Sequence, residues 1–210
     1  MYEIIPGILE KEWGEIERKI EIVKPFTESI HVDIIDGKFA PNTTFLDPAP
    51  FAKYSQDIFF ELHMMVKDPI QYLKPFARAG FKRFLGHIEK MPDQEEFAAQ
   101  AQLLGEVGLA IDGPTDLSVI KVPYEDLDCI LVMTIKAGQS GQMFNPKYLK
   151  KVEMLKQVQH DIGIEVDGGI NDQTIIKAKN AGANRFVATS FIFNNQNPQE
   201  QYNLLRSKVG

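Results

Sequence analysis

The sequence predicts an α/β protein of one domain, a (β/α)8 TIM barrel that spans residues 1–210, and three observations lead to this prediction. Short apolar runs alternate with longer segments of helical periodicity along the whole chain. Eight such strand-and-helix units fit into 210 residues, near the lower end of the size range of this barrel. The sequence contains no Ser/Gly linker or low-complexity break that would separate two domains.

The predicted strands are the short apolar runs. They are Glu3–Ile8, Ser29–Ile34, Ile58–Met65, Phe81–Ile88, Gly108–Ile111, Cys129–Thr134, Gly163–Val166 and Arg185–Ala188. A strand followed by a helix, repeated eight times, is the pattern of a (β/α)8 barrel. Cys129 lies inside one of these runs, so we expect a small buried core residue rather than a reactive thiol.

The helices are predicted from apolar residues that recur on one helix face. The clearest sets are Trp13, Ile16, Ile20 and Val23; Ile70, Leu73 and Ala77; and Tyr148, Val152 and Leu155. Helix starts are predicted at Asp68-Pro69, Asn145-Pro146 and Asn197-Pro198, and helix ends at Gly80, Gly105 and Gly182. The helices expected within residues 48–56 and 116–124 are short and weakly patterned.

A doubly wound open sheet is the alternative architecture for such an alternation. It usually carries a Gly-rich turn after the first strand to hold a nucleotide. The corresponding segment here, residues 6–9 (PGIL), has one glycine. The barrel is therefore the favoured fold.

Composition excludes several classes of protein. Hydrophobic residues make up 44% and charged residues 25% of the chain, which excludes disordered, collagen-like and coiled-coil proteins. The apolar runs fall far short of the roughly 20 residues that cross a bilayer, and the first residues do not form a secretory signal. The net charge of −6 and the absence of a Lys/Arg cluster in the sequence argue against nucleic acid as a binding partner. We expect a cytoplasmic protein with neither a membrane nor a nucleic-acid partner.

Four side chains capable of binding a metal lie at or near the ends of three predicted strands. His31 and Asp33 are two residues apart in one strand, so they project from the same face. His63 lies near the end of the next strand, and Asp167 directly follows the seventh. Taken singly, each has a structural explanation, as a hydrogen-bonded core histidine or an aspartate in a turn. Together, at the single mouth of a barrel, they predict a binding site for one divalent transition metal, which could be zinc, iron, manganese or cobalt.

Four blocks of the sequence resemble the ribulose-phosphate 3-epimerase family, whose members are (β/α)8 enzymes of the pentose phosphate pathway. The blocks are residues 31–42 (HVDIIDGKFAPN), 62–66 (LHMMV), 132–134 (VMT) and 165–170 (EVDGGI). They follow the family's order across nearly the whole chain. The resemblance implies that His31, Asp33, His63 and Asp167 bind the metal and that the two aspartates move the substrate proton.

The reaction of that family explains these residue types. Inverting a carbon next to a ketone requires removal of a weakly acidic proton, and a divalent metal stabilises the resulting enediolate as a Lewis acid. Reprotonation on the opposite face requires a second carboxylate. The resemblance implies that Asp33 accepts and Asp167 donates in one direction. Met65 and Met133 match methionines that pack around the reacting carbons, and ordinary core packing is the alternative for both.

Residues that bind the rest of the substrate are implied by the same resemblance, with loop glycines holding a phosphate through backbone N–H groups. The predicted substrate-binding residues are Gly7, Met65, Met133, Gly138, Gln139, Ser140, Gly141, Gly168, Gly169, Thr189 and Ser190. His87 and Glu89 follow the fourth strand and are expected to face the substrate or support the site, with a core histidine as the alternative.

The chain departs from the family's pattern mainly in these loops. Gly7 replaces a serine, Ile35 a methionine and Thr189 a glycine, and residues 137–142 read AGQSGQ where the family usually has Pro-Gly-Phe-Gly-Gly-Gln. Ser140 and Thr189 add bulk at the rim of the phosphate site, which leaves the choice of sugar open.

The leading functional prediction is a metal-dependent 3-epimerase that interconverts D-ribulose 5-phosphate and D-xylulose 5-phosphate. An epimerase for a related ketose phosphate such as allulose 6-phosphate and a non-catalytic sugar-phosphate-binding relative are the alternatives. A decarboxylase of the related barrels is disfavoured, because its Asp-x-Lys-x-x-Asp pattern would need lysine where Ile35 stands. Family members are commonly homo-oligomers, and we expect one here.

Overall fold

The computed structural model describes residues 2–138, 142–158 and 162–210, and within them eight parallel strands close into a barrel. They are β1 (Glu3–Ile8), β2 (Ser29–Ile35), β3 (Phe59–Met65), β4 (Phe81–His87), β5 (Glu106–Ile111), β6 (Cys129–Met133), β7 (Gly163–Asp167) and β8 (Arg185–Ala188). Each strand pairs with its successor, and β1 pairs with β8. This closure confirms the predicted barrel and excludes the open sheet.

The helices of the described residues cover the outside of the barrel. They are α1 (Trp13–Val23), α2 (Ile70–Arg78), α3 (Gln94–Gln102), α4 (Leu149–Val158), α5 (Thr174–Ala181), α6 (Ser190–Phe193) and α7 (Pro198–Val209). The weakly patterned segments form short 3-10 turns instead of α-helices, at Ala49–Tyr54, Leu117–Val119 and Tyr124–Asp126. In the second segment, the β-branched residues Val119, Ile120 and Val122, followed by Pro123, disfavour a continuous α-helix.

Helices begin at all three predicted starts, and an Asx side chain caps two of them. Asn145 and Asn197 accept hydrogen bonds from the backbone N–H groups of Lys147 and Glu200. The third predicted start is also present, since α2 begins at Ile70, but Pro69 occupies the cap position there and the Asp68 side chain does not cap the helix. Among the predicted helix ends, Gly182 adopts the left-handed conformation that terminates α5, with φ of +118°.

Apolar packing fills two layers. The outer layer lies between strands and helices and includes aromatic contacts of Phe51 with Phe60 and Phe81, at ring-centroid distances of 5.5 and 5.1 Å. The inner layer lies inside the barrel and contains Cys129, which is fully buried as predicted. In the described part of the chain, no helix has the length and apolar character of a membrane span.

Candidate active site

The four predicted metal ligands come together at the carboxyl-terminal mouth of the barrel. The parallel register aligns Asp33 of β2 with His63 of β3, and Asp167 ends β7. One ligand atom from each of His31, Asp33, His63 and Asp167 lies within 4.8 Å of the others. Sequence spacing predicted this convergence, because parallel strands of a barrel end at one face.

Asp33 is the centre of the cluster. Its Oδ1 atom lies 3.4 Å from Nε2 of His31 and 2.8 Å from Nδ1 of His63. Both imidazole rings are fully buried. Among the described residues, the Nε2 atoms of both histidines have no hydrogen-bond partner.

A divalent cation fits this arrangement. A buried polar nitrogen without a partner is costly, and a cation between the four side chains would satisfy Nε2 of His31. Two imidazoles and two carboxylates are a donor set that transition metals accept. His31, Asp33, His63 and Asp167 are therefore the residues that would hold the ion.

The two aspartates have different electrostatic surroundings. Burial alone would raise the pKa of Asp33, but the adjacent imidazoles of His31 and His63 outweigh it and hold that pKa well below its usual range. Burial, and then the charge of Asp33, raise the pKa of Asp167 to about 6. Paired carboxylates in unequal environments are typical of sites that use one group as a base and the other as an acid.

A cavity opens directly above the cluster, and most of the predicted substrate-binding residues line it. Those lining residues are Met65, Met133, Gly138, Gly168, Gly169, Thr189 and Ser190, together with Asp33 and Asp167. Gln139, Ser140 and Gly141 lie outside the described residues. Apolar side chains that the sequence motifs missed complete the wall: Leu9, Ile135, Ile170 and Val187. Their positions in or just after strands are the signal that would have indicated them.

The glycine turn after β7 has a backbone that other residues cannot follow. Gly168 and Gly169 have φ of +115° and +70°, in the left-handed region that favours glycine. A Cβ atom at Gly168 would lie 2.6 Å from Cγ1 of Ile135. The hydroxyl of Thr134 donates to the carbonyl oxygens of Asp167 and Gly168, at 3.0 and 2.5 Å, and so holds this turn beside the cluster.

Gly7 lies in β1 beneath Thr189, and the cavity lining contains Thr189 rather than Gly7. A Cβ atom at position 7 would lie 2.4 Å from Oγ1 of Thr189 and 2.9 Å from Cγ1 of Val187. The two departures from the family's pattern are therefore coupled in space: the threonine side chain fills the volume above the glycine.

This coupling predicts non-additive stability changes. Gly7→Ala should lower the free energy of unfolding by about 1–3 kcal/mol, because the new methyl group overlaps Thr189. Adding Thr189→Ala should recover the part of the loss that comes from Thr189, because its Cβ lies at an ordinary 3.6 Å, whereas the contact with Cγ1 of Val187 at 2.9 Å remains. Urea denaturation of both single variants and the double variant measures the coupling. Additive losses would contradict it.

His87 supports the cluster from the side. Its Nδ1 atom contacts the Glu89 carboxylate, and its ring stacks on His63 with a centroid distance of 5.3 Å. Glu89 in turn accepts a hydrogen bond from the backbone N–H of Asp112. His87 is fully buried and does not line the cavity above the four clustered side chains. The geometry therefore favours a role for His87 and Glu89 in supporting the site over one in contacting the substrate.

Comparison with known proteins identifies the family. Residues 3–193 match the ribulose-phosphate 3 epimerase family. The chain belongs to this family. Ribulose-phosphate 3-epimerase of Schizosaccharomyces pombe is 35% identical over 213 residues, covering 99% of this chain and 93% of the relative. The cytoplasmic isoform of Oryza sativa subsp. japonica is 33% identical, with coverage of 99% and 94%. The resemblance seen in the sequence blocks is confirmed, and the chain is an isomerase of the epimerase type.

Solved structures confirm the architecture. A 3-hexulose-6-phosphate synthase superposes with a TM-score of 0.72 at 16% identity, covering 99% of this chain and all of that one. Orotidine 5'-phosphate decarboxylase from Pyrococcus horikoshii OT3 gives a TM-score of 0.69 at 14% identity, covering 98% of both chains. At such low sequence identities, these superpositions show only that the barrel fold is shared. The assignment to the epimerase family rests on the sequence match.

Proposed function

We propose that this epimerase-family enzyme interconverts D-ribulose 5-phosphate and D-xylulose 5-phosphate by proton transfer between two carboxylates. The observation that carries the proposal is the placement of Asp33 and Asp167 in one cavity, on strands that β1 and β8 separate. Epimerisation needs a base and an acid that reach one carbon from different sides, and in this proposal Asp33 and Asp167 are that pair. Curated relatives named ribulose-phosphate 3-epimerase support the choice of substrate.

In this proposal Asp33 takes the proton and Asp167 returns one to the other face, with the roles reversed in the opposite direction. His31 and His63 keep Asp33 ionised and in position through the contacts described above. When bound, a divalent metal supplies Lewis-acid stabilisation of the negative charge that develops on the substrate oxygens.

The cavity wall excludes water from the reacting carbon. Met65 and Met133 are each 2% exposed, and both line the cavity with their apolar, polarisable side chains. Leu9, Ile135 and Val187 extend this apolar wall. An apolar wall keeps bulk water from protonating the enediolate directly, so the proton returned to the carbon comes from a carboxylate that has equilibrated with solvent between turnovers.

The reaction is tested by deuterium exchange in heavy water with a panel of ketose phosphates. Incorporation at C3 of ribulose 5-phosphate reports proton abstraction directly, and the fastest sugar identifies the substrate. Faster exchange with allulose 6-phosphate would assign the chain to the alternative epimerase. No exchange with any ketose phosphate would contradict catalysis.

Metal content provides a separate test. We expect about one divalent transition metal per purified chain, because His31, Asp33, His63 and Asp167 converge. Plasma emission spectrometry measures the metal, and removal with a chelator should abolish turnover until zinc, iron, manganese or cobalt is added. Full activity in rigorously metal-free protein would contradict this part of the proposal.

We also propose that the chain forms a homo-oligomer and is located in the cytoplasm. Light scattering coupled to size-exclusion chromatography tests the first, and fluorescence microscopy of a tagged chain in its own cell tests the second.

A further inference from the structure

A row of charged side chains crosses the barrel interior at the level of His31. The strand register pairs His31 of β2 with Glu61 of β3, Glu61 with Arg83 of β4, and Arg83 with Glu106 of β5. Glu61 is fully buried, and Arg83 is 4% exposed. Charged groups at this depth are rare unless they are paired, so their partners indicate what they do.

Each oxygen of Glu61 has its own partner. Oε1 lies 2.6 Å from Nδ1 of His31, and Oε2 accepts from Nη1 of Arg83 at 2.5 Å. On its other side, Arg83 donates from Nε to Oε2 of Glu106 at 2.7 Å. The guanidinium thus fixes the carboxylate that faces the histidine.

This arrangement determines which ring nitrogen of His31 points toward the cavity. Nδ1 of His31 donates to Glu61, so Nε2 is the nitrogen directed at Asp33, 3.4 Å away, where a cation would bind. A carboxylate that holds the far nitrogen of a ligating histidine fixes its tautomer and ring orientation. Glu165 also approaches Nδ1, but at 3.4 Å, and its Oε1 has no hydrogen bond in the described residues.

We propose that Glu61 is a positioning residue that keeps Nε2 of His31 available to a metal ion, and that Arg83 holds Glu61 in this orientation. Attraction within a buried ion pair is offset by the desolvation of its charges, so stability alone is a weak explanation for the pair. The inference rests on the proposed function, because it assigns His31 its use as a metal ligand.

Glu61→Gln tests the orientation sharply, because glutamine has nearly the same shape. The guanidinium of Arg83 has only donors, so it takes the amide oxygen and leaves the NH2 group facing Nδ1 of His31. Nδ1 must then accept, and the proton of the neutral ring moves to Nε2, which can no longer bind a cation. We expect about 10- to 100-fold weaker binding of Zn2+ and Co2+, measured by competition with a chromophoric chelator.

Glu106→Gln is the matched control. Glu106 contacts Arg83 from the outer side, with a side chain 40% exposed, and among the described residues it makes no direct contact with His31. Its metal affinity should equal that of the wild type. Unchanged affinity in Glu61→Gln, or a larger loss in Glu165→Gln than in Glu61→Gln, would overturn the inference while leaving the proposed function intact.

A measurement in metal-free protein tests the orientation of His31 without relying on metal affinity. In metal-free protein with 15N-labelled histidine, Nδ1 of His31 should carry a proton that exchanges slowly with water, assigned by its loss in His31→Gln. The same proton should persist in Glu106→Gln and vanish in Glu61→Gln. Absence of this proton in the wild type would overturn the inference. Its presence in a protein that binds no metal would instead contradict the proposed metal and leave the Glu61 contact standing.

Discussion

Asp33→Asn and Asp167→Asn should each reduce turnover by about 10³-fold or more while the barrel remains folded. An amide can neither accept nor donate the proton that epimerisation moves, and it is a poorer ligand than a carboxylate. A factor of 10³ corresponds to about 4 kcal/mol of lost transition-state stabilisation. The measurement is kcat for ribulose 5-phosphate, with circular dichroism to confirm folding.

Two controls make this result interpretable. Asp172→Asn, five residues after Asp167 and outside the cluster, should keep wild-type turnover. Metal content measured on the same samples separates a lost proton carrier from a lost ligand: a variant that keeps its metal and loses turnover has lost proton transfer. Near-normal turnover in either Asp33→Asn or Asp167→Asn would show that the assignment of that residue is wrong.

The barrel could be predicted from sequence because the information is local. Each strand is an apolar run, and each clear helix repeats apolar residues on one face. The start of β5 was missed for a physical reason. Glu106 and Val107 precede the predicted start at Gly108, and Glu106 belongs to the strand although it is charged, because its carboxylate pairs with Arg83. A pattern of hydrophobic residues does not predict that a strand begins at a charged residue whose side chain forms an ion pair.

The cluster of four could likewise be predicted, because the ends of parallel strands in a barrel meet at one mouth. Its supporting contacts could not. Glu61 and Arg83 are charged residues among apolar ones, and only the register between β3 and β4 shows that they face each other. Gly7 and Thr189 lie near opposite ends of the chain, and they meet only because β1 closes the barrel against β8.

The substrate phosphate should account for a second large effect. We expect kcat/KM for ribulose 5-phosphate to exceed that for free ribulose by about 10³-fold or more. Hydrogen bonds to a charged group contribute roughly 2 kcal/mol each, and two such bonds from backbone N–H groups near Gly138, Gly168 and Gly169 suffice for this ratio. Binding energy from this remote group also orients the reacting carbon, so kcat should fall along with affinity when it is absent.

Gly168→Ala locates the effect in the structure. Alanine cannot adopt φ of +115° without strain, and its methyl group would collide with Ile135, so the turn beside Asp167 must shift. The variant should lose more activity with ribulose 5-phosphate than with free ribulose. Gly14→Ala in α1, where a methyl group meets no atom within 4 Å, should retain the wild-type ratio. Equal kcat/KM for the two sugars in the wild type would contradict binding of the phosphate at this turn. The glycine turn would then contribute nothing that distinguishes a phosphorylated sugar from a free one.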